Sequence, residues 1–350
     1  MEIIVQYSCF QDEHLIGPNL RHVYDFADRI VISYGAFSGV KRIRSLWGLP
    51  EEDDTLNIIK SFPDPDRKIT LIEAPEEGWK DFTESRTAAL CACGTSGFLM
   101  TQDTDEFWAV GALQKIREVA SNKLGESVMA IDCPRIWFVR GVDRCLWPKV
   151  GFPYLVRHEK PGKLETLKSS VLLPALGQGR RILRDLLNRP QLEQIKNWLR
   201  PWKKNNEWCV FNYANGVAYL PSPAHYIHKV VGHLLKPGLF WTKNRIDSWL
   251  IDPESGDSWH RHNRAIYEPS ICCLHLSYND PSITRVKETY YKTVFKGITP
   301  EQAHQEVLKE DKTPLSESTE IDAPGYQVSP LPERFQKILP SELLRADSRN

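Results

Sequence analysis

The order of hydrophobic runs predicts an α/β protein whose first part is a parallel sheet with helices on its faces. Three observations predict it. Over the first 110 residues, short apolar runs alternate with segments of helical spacing, the pattern of strands joined by right-handed crossover helices. The runs stop at a glycine-containing loop or a dense acidic turn, as strands do at a sheet edge. Composition is that of a globular chain: of 350 residues, 41% are hydrophobic, 26% charged and 10% aromatic. A chain this long buries a sizeable core without disulfides or a structural metal.

Residues 2–9 read as a buried strand, and residues 15–26 carry apolar groups at helical spacing. A second strand over 28–34 runs into the loop at Gly35. A polar loop with Glu51, Glu52, Asp53 and Asp54 leads to a short helix ending near Ser61. Residues 68–73 form the third strand, and 82–93 a helix that Thr83 or Ser85 would cap. The fourth strand, 97–102, ends abruptly in Asp103-Thr104-Asp105-Glu106-Phe107-Trp108. Residues 1–110 are thus a nucleotide-binding type of half. Beyond it, 128–140 reads as a pair of strands, 151–156 as another, 180–204 as a basic helical stretch and 208–220 as strand. A last strand over 271–278 precedes a helix over 281–295. Pro, Glu, Ser and Lys dominate after residue 299, so 311–330 is expected to be a poorly ordered linker before a short terminal helix.

Forty-five basic residues balance forty-five acidic ones, which excludes binding of nucleic acid or membrane by bulk charge. The basic stretch 180–204, eight Lys or Arg against two acids, is the local exception. It is a solvated helix face or a seat for a phosphorylated acceptor, such as a lipid-linked sugar, a lipopolysaccharide core or nucleic acid. No run approaches the roughly 20 apolar residues that cross a bilayer, and a cytoplasmic protein is expected. Eight cysteines include Cys91 with Cys93 and the adjacent Cys272 and Cys273. Without a second ligand pair for zinc they read as reduced, buried thiols.

Asp103 and Asp105 stand where a parallel strand gives way to a loop, the edge at which open α/β sheets bind ligands. If the backbone stays extended, both carboxylates point to one side, and hard oxygen donors suit Mg2+ or Mn2+ bridging a diphosphate. A lone D-x-D is also what a solvated acidic turn looks like. His275, in Cys273-Leu274-His275-Leu276-Ser277-Tyr278, is followed by Arg285 and Lys287. A neutral imidazole suits manganese, and the two bases suit a diphosphate. Asp247, Asp252 and Asp257 lie among Trp241, Trp249 and Trp259, a mixture fit to stack an acceptor sugar and take its hydroxyls. Either Asp247 or Asp252 is the candidate base for the acceptor proton. His225, His228 and His233 have near-helical spacings and read, with His260 and His262, as polar faces.

Thr83-Glu84-Ser85-Arg86 upstream, the apolar strand, and then Asp103-Thr104-Asp105-Glu106-Phe107 together resemble the family-2-like GT-A glycosyltransferases. Gln11-Asp12-Glu13 is similar to the family's start of the first helix, and 28–32 to its second strand. The resemblance spans about 1–110 and reaches weakly to Tyr278. It implies a GT-A-like, Rossmann-like nucleotide-diphospho-sugar transferase fold, a mixed sheet flanked by helices. Residues 1–110 would be the nucleotide-sugar half, 111–298 the acceptor-side half of the same catalytic domain, and 299–350 a partly flexible extension. It implies metal-dependent transfer of a sugar, a hexose foremost, from a nucleotide-sugar donor, a UDP-sugar foremost, to a carbohydrate or glycoconjugate hydroxyl. Asp103 and Asp105 would hold Mn2+ or Mg2+ with His275 as third ligand. Arg86, Arg285 and Lys287 would meet the nucleotide or its phosphates, and Glu106 the donor sugar. The family's acidic residue after the second strand is replaced by Ser33-Tyr34-Gly35-Ala36-Phe37-Ser38, so Tyr34 would stack on the base instead. A metal-dependent nucleotidyl or phosphoryl transferase and a non-catalytic binding module are the alternatives. The absence of a Gly-Lys-Ser/Thr phosphate loop weighs against the first, and the intact Arg86, Asp103 and Asp105 against the second.

Overall fold

The computed structural model describes residues 1–125, 128–139, 141–148, 155–157, 210–213, 216–219, 228–244, 247–252, 265–268, 270–278, 280–310, 326–331 and 336–347. The chain divides into two compact units. One joins Met1–Trp147 to His228–Asn350, and the other is Pro148–Ile227. Within the second, the described residues form a small antiparallel sheet of β8 (Leu155–Arg157), β9 (Val210–Tyr213) and β10 (Gly216–Tyr219), with β10 central. The basic stretch 180–204 lies outside the described residues.

The larger unit is a mixed α/β structure. Its first four strands are β1 (Ile3–Cys9), β2 (Arg29–Tyr34), β3 (Ile69–Glu73) and β4 (Phe98–Gln102). They pair in parallel in the order β3-β2-β1-β4. β1, β2 and β4 are buried almost throughout, which is why they read as continuous apolar runs rather than alternating ones. The parallel run then reverses. β11 (His228–Leu234) lies antiparallel between β4 and β6 (Ala130–Val139). A bulge between Val230 and Gly232 sits in that strand. Gly232 is obligatory there, because a Cβ would lie 2.1 Å from the Leu99 carbonyl oxygen.

Residues 128–140, expected to be two strands, are mostly the single strand β6, which changes partners instead. Its first half pairs with β11 and its second half in parallel with β15 (Cys273–Tyr278). Pro134, which has no N–H to give, stands where the change occurs. β15 also pairs antiparallel with β5 (Glu106–Trp108). β14 (Ala265–Tyr267) runs parallel beside the start of β6, and β7 (Arg144–Pro148) and β16 (Tyr326–Pro330) extend the far edge.

Helices cover both faces. On one, α1 (Ile16–Val23) and α5 (Ala112–Lys123) close a core of Ile3, Val5, Tyr7, Leu20, Phe98, Ile116 and Val119. On the other, α4 (Phe82–Cys93) buries Ala89, Leu90 and Cys93 against Ile4, Val31 and Leu99. The hairpin of β12 (Phe240–Asn244) and β13 (Asp247–Ile251) adds Trp241 and Leu250 to that layer. The cap of α4 is Asp81, whose carboxylate accepts from the N–H groups of Thr83 and Glu84. It displaces the expected Thr83 and Ser85 because it alone sits before the first helical turn. Asp280 caps α6 (Pro281–Lys296) in the same way, Pro281 sits in its first turn, and Gly297 ends it at φ 63°.

Two short helices, α2 (Val40–Leu46) and α3 (Thr55–Ser61), fill the connection from β2 to β3, and α7 (Pro300–Glu310) packs on α2 and α6. The terminal helix α8 (Ser341–Asp347) packs on α1. Just before it, Ile338 accepts a backbone bond from Val110 N–H, next to β5. All seven described cysteines are unbridged. No helix among the described residues is long and apolar enough to cross a membrane.

Candidate functional site

The carboxyl ends of β1, β2 and β4 meet the return segment of β15 and α6 at one corner of the larger unit. Asp103 to Glu106 does not continue β4 in extended form. Glu106 N–H bonds back to the Asp103 carbonyl at 3.1 Å, so the four residues make a tight turn and the two aspartates diverge instead of pointing together. Asn19 fixes this turn from beneath. Its amide donates to the carbonyls of Thr104 at 2.9 Å and Glu106 at 2.6 Å, and its own oxygen accepts from Tyr7 Oη at 2.6 Å.

Asp105 points inward. Its Oδ2 accepts from Lys287 Nζ at 3.0 Å, and its Oδ1 lies 3.3 Å from His275 Nε2. The Asp105 carbonyl also accepts from Leu276 N–H at 2.7 Å. Three segments far apart in the chain therefore close on one carboxylate. Burial pushes the Asp105 carboxyl up, but Lys287 and His275 outweigh it and hold the group well below the usual carboxylate range.

Asp103 turns the other way, toward Arg86 on α4, whose Nη2 lies 3.4 Å from Oδ1. Its side chain is 41% exposed, whereas that of Arg86 is 10%. The guanidinium is wedged between the rings of Phe82 and Trp241, at 5.3 and 5.1 Å, so the arginine is a fixed part of the floor. Burial works against ionisation of Asp103, yet Lys229 and Arg86 bring its pKa below the ordinary value.

Glu106 is fully buried. Its Oε2 accepts from Lys229 Nζ at 2.5 Å and from the Asp103 backbone N–H at 3.1 Å, and Arg135 stands 3.7 Å from Oε1. The carboxylate expected to touch a donor sugar is thus engaged in fixing the turn that carries the aspartates. Alternation explains the gathering: Glu106 and His275 are register partners, as are His275 and Trp137, so their side chains share one face. Trp137 packs edge-on against His275 at 4.5 Å and under Arg135 at 4.9 Å.

Asp12 sits beside this cluster. Gln11 before it has φ 69°, a left-handed conformation uncommon for a side-chain-bearing residue. The strained step turns the chain so that Asp12 Oδ1 accepts from Thr104 Oγ1 at 2.6 Å and Oδ2 from Phe10 N–H at 3.0 Å. Thr55 links Asp12 to Asp53, accepting from Asp12 N–H at 2.8 Å and donating to Asp53 Oδ2 at 2.8 Å. Burial raises the Asp12 carboxyl to about 7, against the lowering effects of Thr104 and Lys287.

The remaining candidates separate. Tyr34 is buried at the end of β2, its ring 6.0 Å from Phe10. Burial and the acids Asp53 and Glu52 raise its hydroxyl pKa. Arg285 stacks on Trp47 at 5.4 Å. Two residues apart on a helix, it and Lys287 take different sides of α6. Asp252 is ion-paired with Lys236 at 2.6 Å. Asp247 lies at the other end of β13, about 16 Å away for five strand residues, so the two acids cannot serve one reacting atom. Asp257, Trp259, His225, His260 and His262 lie outside the described residues. His228 and His233 belong to strand β11, not to a helix.

Lys229, Arg135, Asn19, Thr104 and Trp137 were not singled out from sequence. The one legible signal was Lys229, a charge inside the apolar strand run of residues 228–234.

The donor set does not fit a divalent ion as folded. Asp105 is bonded to Lys287 and His275, and Asp103 to Arg86. No group of three or more His, Cys, Asp or Glu among the described residues is arranged to hold an ion. An ion held by the Asp105 carboxylate would stand within about 5 Å of the Lys287 ammonium, a repulsion of about 7 kcal/mol at an effective dielectric near 20. Four basic side chains, Arg86, Arg135, Lys229 and Lys287, face the three carboxylates Asp103, Asp105 and Glu106.

No protein-family model and no curated protein matches this chain. Among solved structures it is similar to S. aureus TarS over 41% of this chain and 22% of that one, at 14% identity and a TM-score of 0.27. It is also similar to S. aureus TarS 1-349 over 45% of this chain and 42% of that one, at 15% identity and a TM-score of 0.27. The chain thus spans less than half of either structure. At such TM-scores the likeness is partial, and any functional reading stands on the site itself.

Proposed function

We propose that this chain is a glycosyltransferase with a GT-A-like fold that moves a sugar from a nucleotide-diphosphate sugar to an acceptor hydroxyl. The observation that carries the reading is the closure of His275 and Lys287 on Asp105, at the carboxyl end of a parallel strand beside an Arg86-bound Asp103. Such an edge is where α/β sheets take nucleotides. The exposed Asp103 carboxylate is placed to accept hydroxyls of the donor sugar. The basic groups beneath it draw in the diphosphate, and the Asn19-braced turn keeps the two aspartates apart so that each serves a different part of the donor. Tyr34 and the loop from Gly35 to Ser38 flank the base, and Asp247, rather than the buried and Lys236-paired Asp252, takes the acceptor proton. The Mn2+ or Mg2+ expected from the sequence does not match the donor set, in which Asp105 is bonded to Lys287 and His275, and Asp103 to Arg86.

Warming the protein with UDP-, GDP- and CDP-sugars tests the reading: the melting temperature is expected to rise for one of them. Transfer to a carbohydrate acceptor should then be detected with that donor. A rise with free nucleoside triphosphates and none with any sugar nucleotide would instead mean nucleotidyl or phosphoryl transfer.

A further inference from the structure

Glycosyl transfer leaves one new charge to be met. As the acceptor oxygen bonds to the anomeric carbon, the bond from that carbon to the β-phosphate oxygen breaks. The electron pair departs on that oxygen, and the acceptor proton passes to a base. The nucleoside diphosphate therefore gains a negative charge in the transition state, and a fixed positive group beside it stabilises that state directly.

We infer that in this chain the group is the Lys287 ammonium, seated on Asp105 in the place where a divalent ion was expected, so that the diphosphate is bound and released without metal. The inference takes the identity of the leaving group from the glycosyltransferase reading, while the anion site itself stands on geometry. Lys287 is on the open side of its partner: its side chain is 39% exposed, that of Asp105 9%. Of the two partners, the lysine is therefore the one that an arriving phosphate reaches more readily. Asp105, gripped also by His275, orients the ammonium and leaves its remaining N–H directions for the anion. Lys287 leaves α6, a four-turn helix capped by Asp280 and joined by α7. The charge therefore stands on a rigid element and needs no reorganisation as the oxygen departs.

The test uses the full chain, inorganic pyrophosphate as probe and melting temperature as readout, first in EDTA and then with Mn2+. Pyrophosphate is expected to raise the melting temperature in EDTA, with no larger rise when Mn2+ is added. Mn2+ alone should leave the parent unchanged, and its free-ion paramagnetic resonance signal undiminished. Lys287→Met should weaken the pyrophosphate response at least tenfold in midpoint concentration and, by uncovering Asp105 and His275, should make Mn2+ bind. Lys287→Arg keeps the charge and should keep the metal-free response, which guards against a variant that merely misfolds. A pyrophosphate response of the parent only with Mn2+, micromolar Mn2+ binding by the parent, or no response under either condition overturns the inference. The two readings fail separately. A sugar nucleotide that binds solely with Mn2+ removes this inference and keeps the transferase. Pyrophosphate binding in EDTA with no sugar nucleotide bound does the reverse.

Discussion

Asp12→Asn should stabilise the protein, and by more as pH rises. The carboxyl is raised from 3.8 to about 7, chiefly by burial, so the folded chain keeps a proton that the unfolded chain has lost. This group's contribution therefore falls as pH climbs from about 4 to about 7. At pH 8 the full interval counts and costs about 4 kcal/mol, whereas at pH 5 only the part above 3.8 does, about 2 kcal/mol. Asparagine has no charge to suppress. Its amide oxygen can take the Phe10 N–H while its NH2 donates to Thr104 Oγ1, so both present bonds have replacements. The advantage of the variant should widen by about 2–3 kcal/mol between pH 5 and pH 8, about 4 °C in melting temperature for 350 residues. Asp103 and Asp105 pull the other way, stabilising above their lowered values and losing that effect in acid, but they are common to both proteins and cancel. Differential scanning calorimetry across that pH range measures the gap. A gap that is constant, or narrows toward pH 8, refutes the claim that Asp12 is held protonated.

Two further outcomes are expected. Lys229→Met leaves the fully buried Glu106 without its closest cation and should cost about 3–5 kcal/mol. Adding Glu106→Gln should return part of it, as read from urea midpoints, and no recovery would mean that the pair does not act as a unit. Gly232→Ala drives a Cβ to 2.1 Å from the Leu99 carbonyl oxygen, and β11 must retreat from β4. A loss of 1–3 kcal/mol or more should come with a weaker pyrophosphate response, because that strand carries Lys229. An unchanged melting temperature would show that the strand has slack.

What the sequence revealed followed from physics that acts locally. The central parallel strands are legible because burial on both faces leaves them uniformly apolar, and α6 because Asp280, Pro281 and Gly297 mark both its ends. α2 escaped notice: it is seven residues long, rich in Lys and Arg, and begins after Gly39 in a left-handed conformation. The place of Asp103 and Asp105 was readable, but their directions were not, because a turn braced by Asn19 from eighty-odd residues upstream decides them. Lys229 and Arg135 were hidden for the same reason: a buried cation is explained only by its counter-ion, and Glu106 lies in another strand. The interval 128–140 misled because a proline at a change of strand partner imitates a turn between two strands.

The order in which the cluster is synthesised follows from its long-range pairs. Asp105 leaves the ribosome 182 residues ahead of Lys287, and Glu106 precedes Lys229 by 123. A nascent chain that has already made its first four strands can settle Asp103 against Arg86, but it carries Asp105 and Glu106 before His275, Lys287 and Lys229 exist to meet them. The acidic corner can close only once the last third has been translated and threaded back, so a truncated product ending before α6 would lack Lys287 and, with it, the edge strand β16.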